Sequence, residues 1–271
     1  MDLQNLTDIA IKAALAAGKV IQKYMNEDFT ILENKTGDSI ASQVLTEVDL
    51  KSEKIILSHL LPTCKIDNLG LLSEEQEDDK SRFKKDFFWC IDPIDGTLAF
   101  IKKQAGFSVS IALISKQGVP QIGVVFDPTT NNLYYAIKDK GAFKNGQPWQ
   151  LEAPNNYLTY TIEKKVSDLP EKEEFIKVLN REKEKLKLDN IKEHFGSGSV
   201  LNAITVAENR PAIMFKFPKD EKGGGSFWDY AATVCIFNEL ALEAKDFYGN
   251  VLELNSEKST YMNEKGIFYR S

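Results

Sequence analysis

The sequence predicts a mixed α/β (α+β) fold, and three stretches carry that prediction. Along Leu3–Met25, residues Leu6, Ile9, Ala10, Ala13, Ala14, Ala17, Val20, Ile21 and Tyr24 recur at three-and-four spacing, as in an amphipathic helix. From Phe107 to Trp149, apolar segments separated by turn residues read as strands of one antiparallel sheet. Beyond residue 153, strand-like and helix-like segments alternate. At 271 residues with 42% apolar content, the chain is long enough to bury a full core. The hydrophilic stretch Glu152–Asn156 is the best boundary, dividing the chain into 1–152 and 153–271, packed as one unit.

In chain order, the first helix carries an alanine seam suited to close packing. Its Gly18 costs about 1 kcal/mol there or marks a tight crossing. Phe29–Leu32 is a short strand and Asn34–Ser39 a polar loop. Thr46-Glu47-Val48-Asp49 opens a second helix that runs to Pro62; its spacing is that of a capping box with Asp in place of Glu, and it sets Asp49 in the first turn. His59, among apolar neighbours, packs. Leu69–Ser73 is a strand followed at once by Glu74 and Glu75. Phe107–Ile114 alternates as a strand with one buried face and one of small residues. Gln121–Phe126 and Leu133–Ile137 continue the sheet, and Asn145-Gly146 marks a hairpin. Tyr157–Glu163 is strand-like. Pro170 opens a charged helix, Glu171–Lys187, with Phe175, Ile176, Leu179 and Leu186 as its apolar stripe and Arg181–Lys185 as a solvated face. Phe195-Gly196-Ser197-Gly198-Ser199 leads into a helix at Val200–Ala207; such a start either holds an anion on free amides or is a plain turn and cap. Ala212–Phe217 is a strand, Phe227–Glu239 a helix, and Leu242–Phe247 and Ile267–Tyr269 are the closing strands.

The most informative stretch is Trp89-Cys90-Ile91-Asp92-Pro93-Ile94-Asp95-Gly96-Thr97. A buried strand, Phe87–Ile91, ends at two carboxylates flanking Ile94, then a glycine and a hydroxyl. Pro93 holds Asp92 extended, and Gly96 permits a sharp turn. Taken alone, Asp-Pro and Asp-Gly are turn dipeptides whose acids cap backbone amides. The whole string, with a main-chain carbonyl between the acids, is also how a hard cation is held. Glu74, Asp92, Asp95 and Asp229 each stand at an element end, with Asp49 beside a hydroxyl. Carboxylates brought together from several elements repel unless cations separate them, and phosphoryl chemistry is the common use of such a cluster.

A formal charge of −6 and a pI near 5.2 argue against a nucleic-acid polymer or an anionic membrane as partner. Cys64, Cys90 and Cys235 are odd in number and far apart, which reads as reduced thiols in a cytoplasmic protein. No leader and no membrane-spanning run is expected. Only His59 and His194 are available as imidazoles, so a metal site here is built from oxygen, favouring Mg²⁺ or Mn²⁺ over Zn²⁺.

Asp92-Pro93-Ile94-Asp95-Gly96-Thr97 resembles the Asp-Pro-Ile/Leu-Asp-Gly-Thr signature of the inositol monophosphatase family, and Trp228-Asp229-Tyr230-Ala231-Ala232 its Trp-Asp-x-Ala/Gly-Ala/Gly signature. Glu74-Glu75, Thr46-x-x-Asp49 and Gly141-Ala142-Phe143-x-Asn145-Gly146 fall in the same order, so the likeness spans nearly the whole chain. The resemblance implies a layered αβαβα sandwich, a Li⁺-sensitive phosphomonoesterase and a homodimer. It implies two or three Mg²⁺ ions held by Glu74, Asp92, the Ile94 carbonyl, Asp95 and Asp229. Asp49 and Thr97 would activate the attacking water. The Gly96 and Thr97 amides would grip the phosphate, and Gly198 and Ser199 would lie in the substrate loop. The substrate is a small phosphorylated metabolite. The glycine-rich approach to Trp228 and the Phe247-Tyr248-Gly249 stretch resemble the 3'(2'),5'-bisphosphate nucleotidase branch; inositol 1-phosphate and fructose 1,6-bisphosphate are the alternatives. A binder that retained the fold without catalysis is the reading of a different class, and the presence of both Thr97 and Asp49 argues against it.

Overall fold

The computed structural model describes residues 1–33 and 44–271. The polar loop expected at Asn34–Ser39 lies outside the described residues. Helix α1 (Leu3–Met25) has the predicted bounds, and the Asp2 carboxylate caps it by accepting from the amides of Gln4 and Asn5. Its alanine seam is fully buried. Strands β1 (Ile31–Glu33) and β2 (Val44–Thr46) form a small antiparallel pair, so the first strand lies slightly later than expected. Helix α2 (Glu47–Ile66) starts at the predicted capping box but continues past Pro62. Pro62 cannot donate to the Ser58 carbonyl, and both residues are exposed, so the missing helix bond falls on the solvent side.

Seven strands follow in one sheet, ordered as in the chain: β3 (Gly70–Ser73), β4 (Phe87–Asp95), β5 (Ser108–Ser115), β6 (Pro120–Asp127), β7 (Asn132–Ile137), β8 (Gly141–Lys144) and β9 (Gln147–Pro148). All neighbours are antiparallel except β3 and β4, which are parallel. Strand β4 does not stop at Ile91. It runs on through both acids to Asp95, because Asp92 still pairs with Ser110 and Asp95 with Ser108 across a bulge that absorbs Pro93, which has no N–H for the ladder.

The sheet is covered on both faces. Trp89, Ile91, Val109, Ile111 and Leu113 pack on α1 and α2, whereas Phe88, Cys90, Ala112 and Ile114 face the opposite layer. That period-two split follows from the pleat. The small-residue face of β5 is buried as well as the large-residue face. What covers the small-residue face is the helix Phe227–Glu239, which requires small residues beneath it.

The later part of the chain builds a five-stranded sheet with strand order β11–β10–β12–β14–β13. Its members are β10 (Tyr157–Ile162), β11 (Asn190–Phe195), β12 (Ala212–Lys216), β13 (Glu243–Lys245) and β14 (Ile267–Arg270). Strands β10, β11 and β12 are mutually parallel where they pair. The polar, largely exposed β11 has no apolar pattern and is not foreseen in the sequence. A short helix α3 (Thr97–Ile101) follows Gly96, and α4 (Lys172–Lys185) covers the outer face of this second sheet. The α4 stripe is Phe175, Val178, Leu179 and Glu182; Ile176 and Leu186 turn outward. Glu182 thus leaves the solvated face expected of it, and accepts from Lys185, Arg181 and Arg270.

Between the two sheets lie α5 (Ser199–Glu208) and α6 (Phe227–Glu239). The layers are therefore α1/α2, seven-stranded sheet, α5/α6, five-stranded sheet and α4, the sandwich expected from the motifs. Helix α6 crosses the sheet in backbone contact: a Cβ at Gly123 of β6 would lie 2.2 Å from the Ala232 carbonyl oxygen. Gly18 of α1 marks a similar approach, to the ring of Phe126 rather than to another helix.

Gly123→Ala is expected to destabilise the protein by about 2 kcal/mol or more, since backbone must move to admit the methyl. A urea midpoint matching the parent would show that α6 does not rest on the sheet as described.

Candidate active site

The parallel pairing of β3 with β4 sets Ser73 opposite Ile91. Glu74 consequently leaves its strand level with Asp92, and its amide donates to the Ile91 carbonyl at 3.1 Å. On the other side of β4, the register places Asp92 beside Ser110 and Asp95 beside Ser108. The Ser110 hydroxyl donates to the Trp228 carbonyl at 3.1 Å, tying the first turn of α6 to the sheet next to the acids. Asp229 is the third residue of that helix, and its Oδ2 accepts from the Ser226 amide at 2.5 Å. Oxygens of Asp92, Asp95 and Asp229 then lie within 4.8 Å of one another.

Asp92 and Asp95 are buried, and Asp229 is half-buried. Burial, and then the charge of Glu74, pushes the Asp229 carboxyl up to about 7. Burial raises Asp92 well above the usual carboxylate range, with Glu74, Asp95 and Asp229 adding to it. Asp95 is raised by burial and by Asp229, against the Val200 amide and the Lys216 ammonium. Glu74 lies outside the tight trio, yet its charge is felt by two of its members. Clustered carboxylates that raise one another in this way are a fit for a divalent cation, whose charge removes the repulsion. The donor set is all oxygen, suited to a hard ion. The buried Ser108 hydroxyl, in register with Asp95, has no hydrogen-bond partner among the described residues.

Asp49 stands beside this group. Its Oδ2 accepts from the Thr46 amide at 2.8 Å and the Thr46 hydroxyl at 2.5 Å, the capping box read from the sequence. That leaves Oδ1 facing Thr97, whose hydroxyl oxygen is 3.3 Å away and 3.0 Å from the Ile94 carbonyl oxygen. The Ile94 amide donates to Asp92 Oδ1 at 3.0 Å, so the bulge is closed on its own acid. Gly96 adopts φ +83° to turn the chain from β4 into α3.

The start of α5 differs from a free anion site. The amides of Ser199 and Val200 donate to the two oxygens of Asp95, at 3.1 and 2.9 Å, and the Gly198 amide donates to the Gly106 carbonyl. A Cβ at Gly198 would lie 2.3 Å from Asp95 Oδ2, so only glycine fits. Gly198 and Ser199 therefore reach the cluster through Asp95.

Three residues near the site were not singled out in the sequence. Lys216 ends β12, Glu163 follows β10, and Glu53 lies one turn beyond Asp49 on α2. The Lys216 ammonium is 2.5 Å from Glu163 and 2.9 Å from the Ser199 hydroxyl. Buried Glu53 accepts from the Ser73 hydroxyl next to Glu74. Their common signal is position at a strand end or a helix repeat from a candidate acid, legible only once β10, β11 and β12 are recognised as parallel. His59 lies on α2 away from these groups, and the cysteines are free thiols, Cys90 and Cys235 buried. No helix among the described residues is long and apolar enough to cross a membrane.

A layered α/β sandwich whose strand ends gather carboxylates able to hold a cation is the class of protein these features define. The chain belongs to the inositol monophosphatase family, whose sequence profile matches residues 2–270. It is similar to the inositol-1-monophosphatase of Bacillus subtilis (strain 168), 32% identical over 141 residues, 52% of this chain and 51% of that one. The chain thus spans about half the length of the first curated relatives it matches. The fructose-1,6-bisphosphatase/inositol-1-monophosphatase of Thermotoga maritima is 26% identical over 262 residues, 97% of this chain and 92% of that one. Among solved structures, the inositol monophosphatase of an Anabaena (Nostoc) species shares the fold, with a TM-score of 0.69 and 23% identity over 100% of this chain and 92% of that one.

The cluster fixes a sign for pH dependence. With cations chelated, Asp229 holds its proton to about 7 when folded against an ordinary 3.8, and Asp92 and Asp95 shift the same way. The folded state then binds more protons across that window, so the stability is fully present below about pH 4 and is lost as pH rises toward 7. Melting temperatures in chelator should fall from pH 5 to pH 8, Asp229→Asn should flatten the slope, and millimolar Mg²⁺ should raise the melting temperature more at pH 8 than at pH 5. An equal Mg²⁺ effect at both pH values would contradict the assignment.

Proposed function

We propose that this chain is a Mg²⁺-dependent phosphomonoester hydrolase acting on a small phosphorylated metabolite. The observation that carries the reading is the convergence of Asp92, Asp95 and Asp229 beside the Thr97–Asp49 pair. Glu74, Asp92, the Ile94 carbonyl, Asp95 and Asp229 would hold two or three Mg²⁺ or Mn²⁺ ions, which supply charge to offset the phosphate and lower the pKa of a bound water.

The chain's own groups account for the remaining steps. Asp49, fixed through Oδ2 by Thr46, presents Oδ1 to the Thr97 hydroxyl. Thr97 accepts a hydrogen bond from the attacking water and passes its own proton toward Asp49, so the water is oriented and its proton has a destination. The water oxygen bonds to phosphorus as the ester P–O bond breaks, the departing oxygen takes a proton from solvent water to leave as the alcohol, and Asp49 returns its proton to solvent, so the protons balance. The amides of Gly96 and Thr97 face the phosphate at the turn after β4. Gly198 and Ser199 serve by fixing Asp95. Residues 1–152 supply all ligands but Asp229 and 153–271 supply that one, so the two halves act as one catalytic unit. The composition and the resemblance support a cytoplasmic, Li⁺-sensitive homodimer.

For substrate, the sequence from Gly223 to Asp229 favours a 3'(2'),5'-bisphosphate nucleotidase. The names of the relatives favour inositol 1-phosphate or fructose 1,6-bisphosphate. Phosphate release from these three esters with Mg²⁺ ranks them. Thr97→Val and Asp49→Asn should each lower kcat by about 10²–10⁴-fold while the Mg²⁺-dependent gain in melting temperature persists. Turnover within tenfold of the parent for both variants would remove the water-activating role, and ester binding without phosphate release would favour the non-catalytic binder.

A further inference from the structure

We propose that a cavity at the end of the second sheet where β12 begins binds a small organic anion, an oxyanion head held by Arg210 on a short hydrocarbon body. The cavity measures about 280 Å³. It lies between the end of α4, the turn after α6, strands β13 and β14, and the residues that lead into β12. It is separate from the carboxylate cluster. Strand β12 runs from Ala212 to Lys216 at the edge beside the carboxylates, and its length alone is about 13 Å. The proposal therefore does not rest on the phosphatase reading.

Register builds the polar half of this cavity. Arg270 of β14 stands between Ile213 of β12 and Glu243 of β13. Its Nη2 pairs with Glu243, and its Nη1 donates to Glu182 Oε2 of α4 at 3.2 Å. The Lys185 ammonium donates to the other oxygen of Glu182 at 2.7 Å. The helix ends that meet here carry negative partial charge, which these two cations also offset. Two acids and two cations of the lining thus answer one another, and a third cation is left.

That cation is Arg210. Its carbonyl accepts from the amide and the side chain of Asn155, at 2.6 and 3.0 Å, so its main chain is fixed. Its guanidinium makes no hydrogen bond or ion pair among the described residues, and the Nε–H is buried without a partner. Arg82 shows how the same chain otherwise buries a guanidinium: its three nitrogens donate to Asp78, Asn255 and Ser256. A buried N–H with no acceptor is costly. Turning the Arg210 head toward the cavity breaks no hydrogen bond, and its planar fork of donors matches the oxygens of a carboxylate or a phosphorus oxyanion. Among the lining side chains, Lys185, Arg210 and Arg270 outnumber Glu182 and Glu243 by one positive charge, in a chain whose formal charge is −6. The remaining wall is apolar, formed by Ala241, Leu242 and Leu186, the last 42% exposed. Such a wall receives a short hydrocarbon body beside the charged head.

The test is calorimetric titration of the full chain after a chelating resin has removed divalent cations, so that the carboxylate cluster repels anions and is not read. The probes are hexanoate and butylphosphonate, with 1-hexanol as the uncharged counterpart. At least one anion should bind about tenfold more tightly than the alcohol, and the ratio between the two anions tells which head the cavity prefers. Arg210→Gln should weaken the tighter anion by about tenfold or more. Lys177→Gln, which removes an exposed charge elsewhere on α4, should change it by less than about twofold. Glu243→Gln frees Arg270 and should tighten it. No binding of either anion, hexanol binding as tightly as both, or equal weakening by Arg210→Gln and Lys177→Gln overturns the proposal. Should Arg210→Gln not fold, Glu243→Gln decides alone, and an affinity that it leaves unchanged or weakens is the overturning result.

Discussion

The carboxylates of Asp92, Asp95 and Asp229, the first two buried and the third half-buried, lie within 4.8 Å of one another and repel, and much of the surrounding structure can be understood as what holds them there. Asp92 is locked by the Ile94 amide, Asp95 by two amides of α5, and Asp229 by the Ser226 amide. Each uses backbone N–H groups, which cannot swing away or ionise differently. Burial, and then the charge of Glu74, pushes the Asp229 carboxyl up to about 7. Such an arrangement is poised: it is held by covalent geometry and ladder bonds, and it relaxes when positive charge arrives.

The scaffold delivers these acids by register. Pairing of Ser73 with Ile91 aligns Glu74 with Asp92, and the bulge at Pro93 turns Asp95 to the side where α5 begins. Helix α6 can bring Asp229 down to this level only because Gly123 and the small side chains of β5 let its backbone touch the sheet. The alternation of large and small residues along β5 is thus tied to function at the other end of the helix that it supports.

Much of this was legible in the sequence, for reasons that can be traced. Leu3–Met25 and Phe227–Glu239 have the bounds that the sequence predicts: the first turns an apolar stripe to a core, and the second is apolar nearly all round because it lies between the two sheets. Thr46 and Asp49 carry their capping box in their spacing. The extension of β4 through Asp95 was not legible, because proline and two acids look like a stop, whereas two flanking residues still pair across the bulge. The polar β11 was invisible for lack of an apolar face, and with it went the recognition that β10 and β12 end beside the site. The stripe of α4 was misplaced toward Ile176 and Leu186, because a buried Glu182 satisfied by three cations cannot be read from hydropathy.

Helix α5 is tied at both ends to a single sheet. Its first amides clasp Asp95 of β4, and its last residue, Glu208, accepts from Tyr134 of β7 at 2.9 Å and Lys144 of β8 at 2.6 Å. In mechanical terms it is a diagonal brace laid across the strands. The edge hairpin and the carboxylate at the far end of the sheet are thereby anchored to one rigid element.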